Sequence, residues 1–344
     1  MTQALNTLYV QTQGAYLHLE HDAVKIEVER EVKARIPLHH LSSIAVFGNV
    51  LLSPFLMARC ADEGRDITIL TEYGRFKARI HGSTTGNVLL RRAQHLALDD
   101  PQRSLALAKR FIAGKIQNTR STLMRAARES NDASDFQILR AASTDLEQSL
   151  HHTKQAHNIE ELRGIEGNAA RVYFGAFSSL IRTNRLDFEF IGRSKRPPRD
   201  PINALISFIY ALLTSDCVAA LEGVGLDPQM GYLHVLRSGR PALALDLIEE
   251  LRSFVADRLA LTLINRAQIT LRDFDERTGG AWSLNESGRK TVLIEYQNRK
   301  KQEITHPTTQ SIIPIGLIPH IQAKLLARHL RGDLLEYPPF IPKG

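Results

Sequence analysis

Cysteine is almost missing from this chain of 344 residues, with only Cys60 and Cys217 present. Two cysteines cannot build a disulfide scaffold, and without a CxxC pair the spacing of a zinc ribbon is excluded. Cys217 falls in an apolar helical run and reads as core. Long apolar runs are also missing: the longest, residues 204–213, is too short to cross a bilayer. The opening MTQALNTLYVQTQG lacks the charged-then-apolar order of a secretion signal. A cytoplasmic location without membrane attachment is the expectation. Internal repeats and low-complexity tracts are absent as well.

The rest of the composition is that of an ordinary globular protein, 43% hydrophobic and 24% charged, and the length predicts two domains. Lysine plus arginine number 44 against 37 acids, a net charge of +7. That balance favours an anionic partner such as nucleic acid, and a soluble basic enzyme explains it equally well.

Hydrophobic periodicity predicts an α+β protein, with a small β-rich domain at residues 1–96 followed by a larger all-helical domain at residues 97–344. Strands are expected at 7–11 and 15–20, as a hairpin around Gly14, and at 24–28, 36–38, 43–47, 66–70 and 76–81. Turns are placed at Gly48, Gly64, Gly74, Gly82 and the pair Gly86 and Asn87. One helix is expected at 53–63, with Ser53 as its cap and Pro54 first. After a joint at 96–101, Ser104 is the expected cap of a helix burying Leu107, Phe111 and Ile112. Its opposite face, with Lys109, Arg110, Lys115, Arg120, Arg125 and Arg128, reads as solvated. Further helices are predicted at 134–152 with Ser134 as cap, from Asn158 to about 185, from Asp200 to about 221, from Ser238 to about 265, and at 319–330. A hairpin joining 281–284 to 291–296 is expected among them. The tail EYPPFIPKG cannot be helical, and is either loose or docked on something.

Residues 160–250 hold the side chains with chemistry in them. Glu166 shares a helical row with Ala170, Tyr173, Phe177 and Leu180. A carboxylate on such a row is costly to ionise unless it is paired, hydrogen-bonded or bound to metal; an acid favoured by the helix dipole is the alternative. Gly164 and Gly167 beside it allow close approach of a phosphate or another helix. His234, between Leu233 and Val235, is either a core residue or a ligand. Asp246 and Glu249 stand one helical turn apart, on a stripe with Glu250, Ser253 and Asp257 that a solvated face also explains. Taken together, a glutamate, a histidine and an acid on separate helices suit an open site for a hard ion, Mg²⁺ or Mn²⁺ rather than zinc. Such an ion polarises a scissile phosphate and orients the attacking oxygen. Arg193, Lys195, Arg196 and Arg199 surround two prolines that keep the segment extended. With Arg240 they read as a clamp on a DNA backbone, or as an exposed interhelical loop. No segment has the character of a base-reading helix.

Three stretches carry a resemblance: GIEGNAARVYF at 164–174, RSKRPPRDPINALISFIY at 193–210 and LDPQMGYLHVLRSGRPALALDLIEELR at 226–252. In order, spacing and residue type they closely resemble the CRISPR-associated protein 1 family, the integrase of spacer acquisition. NTLYV, RIPLHHLSSIAVFG and TGNVLLRR extend the likeness over nearly the whole chain, nearest to the subtype I-C branch. The resemblance implies a β-rich domain serving dimerisation and a helical catalytic domain. It makes Glu166, His234 and Glu249 the catalytic metal ligands, with Asp246 an assisting acid, and brings Tyr173 and Ser207 near them. The third ligand is aspartate in some branches. It also implies a homodimer that joins CRISPR-associated protein 2 in a heterohexamer, with a CRISPR-associated exonuclease as a further candidate partner. The activity implied is a Mg²⁺- or Mn²⁺-dependent DNA endonuclease, working in antiviral defence. It would insert new spacers beside a CRISPR repeat by attack of a DNA 3′-hydroxyl. Two other readings stand beside it. In one the chain is a non-catalytic DNA-binding scaffold with structural acids. In the other it is a nuclease centred on Glu295, on a strand beside Lys300 and Lys301.

Overall fold

The computed structural model describes residues 6–82 and 88–342. The turn expected at Gly86 and Asn87 and the final two tail residues lie outside them. The chain parts into two compact units, residues 1–85 with 292–301, and residues 86–291 with 302–344.

The first unit holds β1 (Thr7–Val10), β2 (Tyr16–Glu20), β3 (Ala23–Val28), β4 (Glu31–Pro37), β5 (Ser43–Phe47), β6 (Leu51–Leu52), α1 (Pro54–Asp62), β7 (Asp66–Leu70) and β8 (Phe76–Ile80). They form two four-stranded sheets, ordered β1-β5-β7-β8 and β4-β3-β2-β6. β5 and β7 are buried at consecutive positions, while β4 and β8 stay open. Val10, Leu17, Val24, Ile44, Val46 and Ile67 meet Leu56 and Cys60 of α1 in one core. The expected hairpin of the first two strands does not form. β1 runs parallel to β5, and β2 runs antiparallel to β3. Gly14, at φ +75°, sends the chain from one sheet to the other, and its N–H is taken by Asn49 O at 2.7 Å. Ser53 caps α1 as its sequence predicts, accepting from Leu56 N at 3.2 Å, with Pro54 at the first position.

The second unit runs α2 (Val88–Asp99), α3 (Pro101–Arg128), α4 (Ala133–Gln155), α5 (Ile159–Gly175), α6 (Pro201–Gly223) and α7 (Ala242–Glu249). A π-helical turn, Arg252–Asp257, leads into α8 (Arg258–Asn265). Then follow β9 (Phe274–Arg277), β10 (Ala281–Leu284), α9 (Glu286–Lys301), β11 (Glu303–Thr305), β12 (Ile312–Pro314) and α10 (Ile318–Arg331). Residues 292–301 of α9 belong to the first unit.

Several expectations are corrected. The strand series ends before α2, where Leu90, Gln94 and Ala97 bury at helical spacing. Asp100 caps α3, taking Gln102 N at 2.9 Å and Arg103 N at 3.1 Å, and Ser104 lies buried one turn inside. Asp132 likewise displaces Ser134 as the cap of α4, accepting from Asp135 N at 2.9 Å. In both places an aspartate upstream of the expected serine captures the first free amides. Asn158 and Asp200 cap α5 and α6 as expected. α5 stops at Gly175, short of residue 185, and α7 begins at Ala242 rather than at Ser238. The helical unit is not all helix. It carries two hairpins, β9 with β10 and β11 with β12. The strand expected at 291–296 is part of α9, because Val292, Leu293 and Tyr296 bury at helical steps and Asn285 accepts Gly288 N at the helix start. α6 is longer than the apolar run suggested. By length and composition it could cross a membrane, with a mean hydropathy of 1.9, yet 56% of that window is buried inside the protein, where it forms core. The tail is docked: Tyr337 and Phe340 are fully buried.

The caps are testable in isolation. Asp100→Ala is expected to cost about 1 kcal/mol, with Ser104→Ala costing clearly less, read as shifts of the urea midpoint.

Candidate active site

Four segments of the second unit converge, supplied by α3, α5, the loop before α7, and α7 itself. The loop is held by a buried acid. Asp246 of α7, with no exposed surface, accepts through Oδ2 from Tyr232 N at 2.6 Å and Leu233 N at 3.1 Å. Its Oδ1 accepts from His234 N at 3.0 Å and lies 2.7 Å from His234 Nδ1. Gly231 makes this approach possible. A Cβ there would meet the Ala242 carbonyl carbon at 2.5 Å and Asp246 Oδ2 at 2.7 Å. From the opposite side Arg163 of α5 donates twice to Leu233 O, at 2.8 Å and 2.6 Å. The imidazole is therefore fixed. A carboxylate against Nδ1 favours the tautomer with its proton there, which leaves Nε2 facing the site.

His234 Nε2 lies 3.8 Å from Glu249 Oε1. Glu249 is 2% exposed, an ionised carboxylate in a dry place, and two cations meet it. Arg252 Nη1 lies 2.9 Å from its Oε1, and Lys115 Nζ lies 2.8 Å from its Oε2. The Lys115 contact has the distance of an ion pair but not the direction of a hydrogen bond, so Oε2 is buried facing a charge without a proper donor. Lys115 also pairs with Glu166 of α5. Burial pushes the Glu249 carboxyl upward, but Arg252, Lys115 and His234 outweigh it and hold the group at about 2. Burial likewise pulls the Lys115 ammonium down, and Glu249 and Glu166 overcome this and raise it.

Beneath this cluster Asp257 accepts from Tyr173 Oη at 3.0 Å and Tyr210 Oη at 2.7 Å. Burial lifts Asp257 to about 6, against those two hydrogen bonds and the nearby arginines. The guanidinium of Arg252 lies 4.9 Å from the centre of the Tyr210 ring and that of Arg193 lies 5.5 Å away. Tyr173 therefore supports the site from behind. The stripe of Asp246, Glu249, Glu250, Ser253 and Asp257, open to reading as a solvated face, is buried throughout.

Glu166 and Glu249 share Lys115, and His234 faces Glu249. The ligand atoms of these three residues do not all fall within 4.8 Å of one another, because the Lys115 ammonium lies between the carboxylates. Two carboxylates and an imidazole with one free nitrogen form a hard donor set suited to a divalent cation, and the charge already between the acids marks where one would be attracted. Asp246 does not share in that donor set, since backbone amides and His234 engage both its oxygens. Open space surrounds Gly164 and Gly167, so no helix of the described chain packs on them.

Sequence reasoning missed Lys115 and Arg252. By sequence Lys115 reads as one of the solvated cations of α3. Its helical neighbours at three and four residues, Phe111, Ile112, Asn118 and Thr119, carry no charge, and that was the available signal. The proposed clamp also changes. Arg193 turns inward and donates to Asn203 Oδ1 at 2.6 Å and Ser207 Oγ at 3.0 Å, and burial lowers its pKa. Arg199 reaches Gly279 O at 2.6 Å, tying its loop to the β9–β10 hairpin. Lys195 and Arg196 are exposed residues; partial desolvation of the Lys195 ammonium by its neighbours, with repulsion by Arg252, lowers its pKa. Arg240 lies 3.4 Å from Val235 O. Glu295 stands on helix α9, not on a strand, and accepts from Asn298 Nδ2 at 3.1 Å.

Asp246→Asn replaces an acceptor of three amides with a group that is half donor. It is expected to cost about 2–3 kcal/mol, measured by urea denaturation.

A family model described as CRISPR associated protein Cas1 matches residues 8–298. Among curated proteins, the CRISPR-associated endonuclease Cas1 1 of Moorella thermoacetica is 54% identical over 98% of both chains. A CRISPR-associated exonuclease Cas4/endonuclease Cas1 fusion of Geobacter sulfurreducens is 37% identical over 98% of this chain and 60% of the fusion. Among solved structures, a Cas1 protein from Thermotoga maritima superposes with a TM-score of 0.81 at 25% identity, covering 95% of this chain and 97% of that one. A casposase bound to integration product gives 0.83 at 21% identity over 97% and 93%, and a chain of a Cas6-RT-Cas1–Cas2 complex gives 0.83 at 20% over 100% and 37%. These last two share the fold.

Proposed function

This chain belongs to the Cas1 family of CRISPR-associated proteins, and from that premise we propose that it is a metal-dependent DNA endonuclease and integrase that inserts new spacers into a CRISPR array. The observation that carries the reading is the meeting of Glu166 and Glu249 on one ammonium, with the free nitrogen of His234 at 3.8 Å from Glu249. Glu166, His234 and Glu249 would hold Mg²⁺ or Mn²⁺, whose charge polarises a scissile phosphate and neutralises what develops on it. The Lys115 ammonium balances the same two carboxylates and has to withdraw from between them as an ion enters, a motion its flexible stem allows. Asp246 is a positioning residue that sets the tautomer and direction of His234. Arg252 keeps Glu249 ionised.

The reaction is displacement at phosphorus. The 3′-hydroxyl oxygen of an incoming DNA strand forms the new bond to phosphorus. The bond to the leaving 3′-oxygen breaks, and that oxygen gains a proton as the attacking hydroxyl gives one up. With water as the attacker the same step is endonucleolytic cleavage. Lys195, Arg196 and Arg240 offer backbone contact to duplex DNA with 3′-hydroxyl ends and to the CRISPR repeat. Arg193 serves the interior of the site instead.

The partners follow the same reading: a second copy of the chain, with the β-rich unit as the dimerisation element, and Cas2 in a heterohexamer. A Cas4-type exonuclease is a further partner, which the Geobacter sulfurreducens fusion supports. The setting is cytoplasmic, where the array lies. Placement near subtype I-C rests on the sequence motifs alone.

Labelled duplex and a CRISPR target, incubated with Mn²⁺, Mg²⁺ or chelator, test the proposal. Cleavage and strand transfer are expected with metal and not with chelator. Glu166→Ala and His234→Ala should each abolish both while unfolding cooperatively. Full activity in either variant, with metal still required, would remove that residue from the mechanism. DNA binding without product, indifferent to chelator, would favour the scaffold reading, and loss of activity in Glu295→Ala would favour a centre on α9. Arg196→Ala should weaken DNA binding with stability unchanged, whereas Arg193→Ala should lower the unfolding midpoint.

A further inference from the structure

The tail beyond α10 is docked on the residue next to Glu249. Glu250 has no exposed surface, and its carboxylate accepts from Tyr337 Oη, from Phe340 N at 2.6 Å and from Gln322 Nε2 of α10 at 3.1 Å. Gln322 Nε2 also reaches Tyr337 Oη at 2.7 Å. Asn118 of α3 donates to Glu250 O and to Phe340 O, each at 2.7 Å, joining α7, α3 and the tail through one amide. Packing reinforces the polar contacts. The Tyr337 ring lies 5.1 Å from that of Phe111, and Phe340 lies 5.2 Å from Phe254 of the π-helical turn. At Gly114 of α3, a Cβ would meet Glu250 Cβ and Pro339 Cβ at 3.0 Å each, so the three segments touch where only glycine fits easily.

The position of this clasp matters. α7 ends at Glu249, and the π-helical turn begins at Arg252. Between them the regular helical ladder is broken, with Leu251 N turning back to Ile248 O at 2.9 Å. The backbone that aims Glu249 is thus not set by helix geometry alone. α3 addresses this point twice, one turn apart: Lys115 meets the Glu249 carboxylate and Asn118 meets the Glu250 carbonyl.

We propose that residues 337–340 act as a strap that positions Glu249 for metal binding, by clamping Glu250 against α3 at the break between α7 and the π-helical turn. Tyr337, Asn118 and Gln322 are positioning residues in this arrangement and do not touch substrate. The inference rests on the reading of Glu249 as a metal ligand.

Two full-length variants, Tyr337→Phe and Asn118→Ala, and a shortened chain ending after Asp333 are compared with wild type. Val24→Ala, in the core of the β-rich unit, is the control for a simple loss of stability. Mn²⁺ affinity is measured by the electron spin resonance of free Mn²⁺, and hydrogen exchange of residues 242–257 is followed without metal. Tyr337→Phe and Asn118→Ala are expected to weaken Mn²⁺ binding about tenfold and to speed exchange in 242–257, with the shortened chain affected more. Val24→Ala should lower the unfolding midpoint with Mn²⁺ affinity unchanged. Tyr337→Phe keeps the ring against Phe111 and decides alone if the shortened chain does not fold. Wild-type protein that binds Mn²⁺, with Tyr337→Phe matching it in affinity and exchange, overturns the strap only. Wild-type protein that binds no Mn²⁺ overturns the metal reading and the strap with it.

Discussion

An ionised carboxylate buried at Glu249 is the constraint on which the second unit depends. Such a group is tolerated only with opposite charge and satisfied geometry around it. Lys115 reaches it from α3 and Arg252 from the turn below, and Glu166 of α5 shares Lys115 with it. Three elements distant in sequence are thereby tied to one atom group. Because each partner is itself buried or half-buried, none can be removed without leaving a charge uncompensated in a poorly solvated place.

The second layer follows from that first demand. Asp246, one turn before Glu249, turns its oxygens the other way and gathers the amides of the 232–234 loop. Asp257, further along, holds two tyrosine hydroxyls under Arg252. One continuous stretch of chain therefore carries acids of distinct kinds. One faces the reacting region, one orients an imidazole, one supports from below, and Glu250 faces the tail. Each is distinguished by what surrounds it rather than by residue type.

Much of this was legible from sequence. Strand alternation at 24–28, the Ser53–Pro54 helix start, and the acids and histidine of residues 160–250 are local patterns, and local patterns survive folding. Relations between distant segments were not legible. Whether Asp246 faces outward or toward its own backbone depends on Gly231 admitting the loop, 15 residues earlier in a turn-rich stretch. Lys115 looked like its basic neighbours on α3 because charge alone does not tell which side of a helix meets another. The strand expected at 291–296 failed for the opposite reason: β-branched residues advertised a strand, while burial of Val292, Leu293 and Tyr296 demanded a helix. Arg193 lost its surface role to Asn203 and Ser207, partners that no spacing rule announces.

The wide turn at Arg252–Asp257 has a consequence for how this chain can vary. A π-helical turn holds one residue more than the α-helical turn it replaces. Loss of a single residue there would heal the irregularity into ordinary helix, at no cost in local backbone geometry. Because that residue is the one the wide turn holds in excess, the side chains of α8 would keep their bearing around the axis. The change would be felt inside the turn itself, where Arg252 meets Glu249 and Asp257 meets two tyrosine hydroxyls.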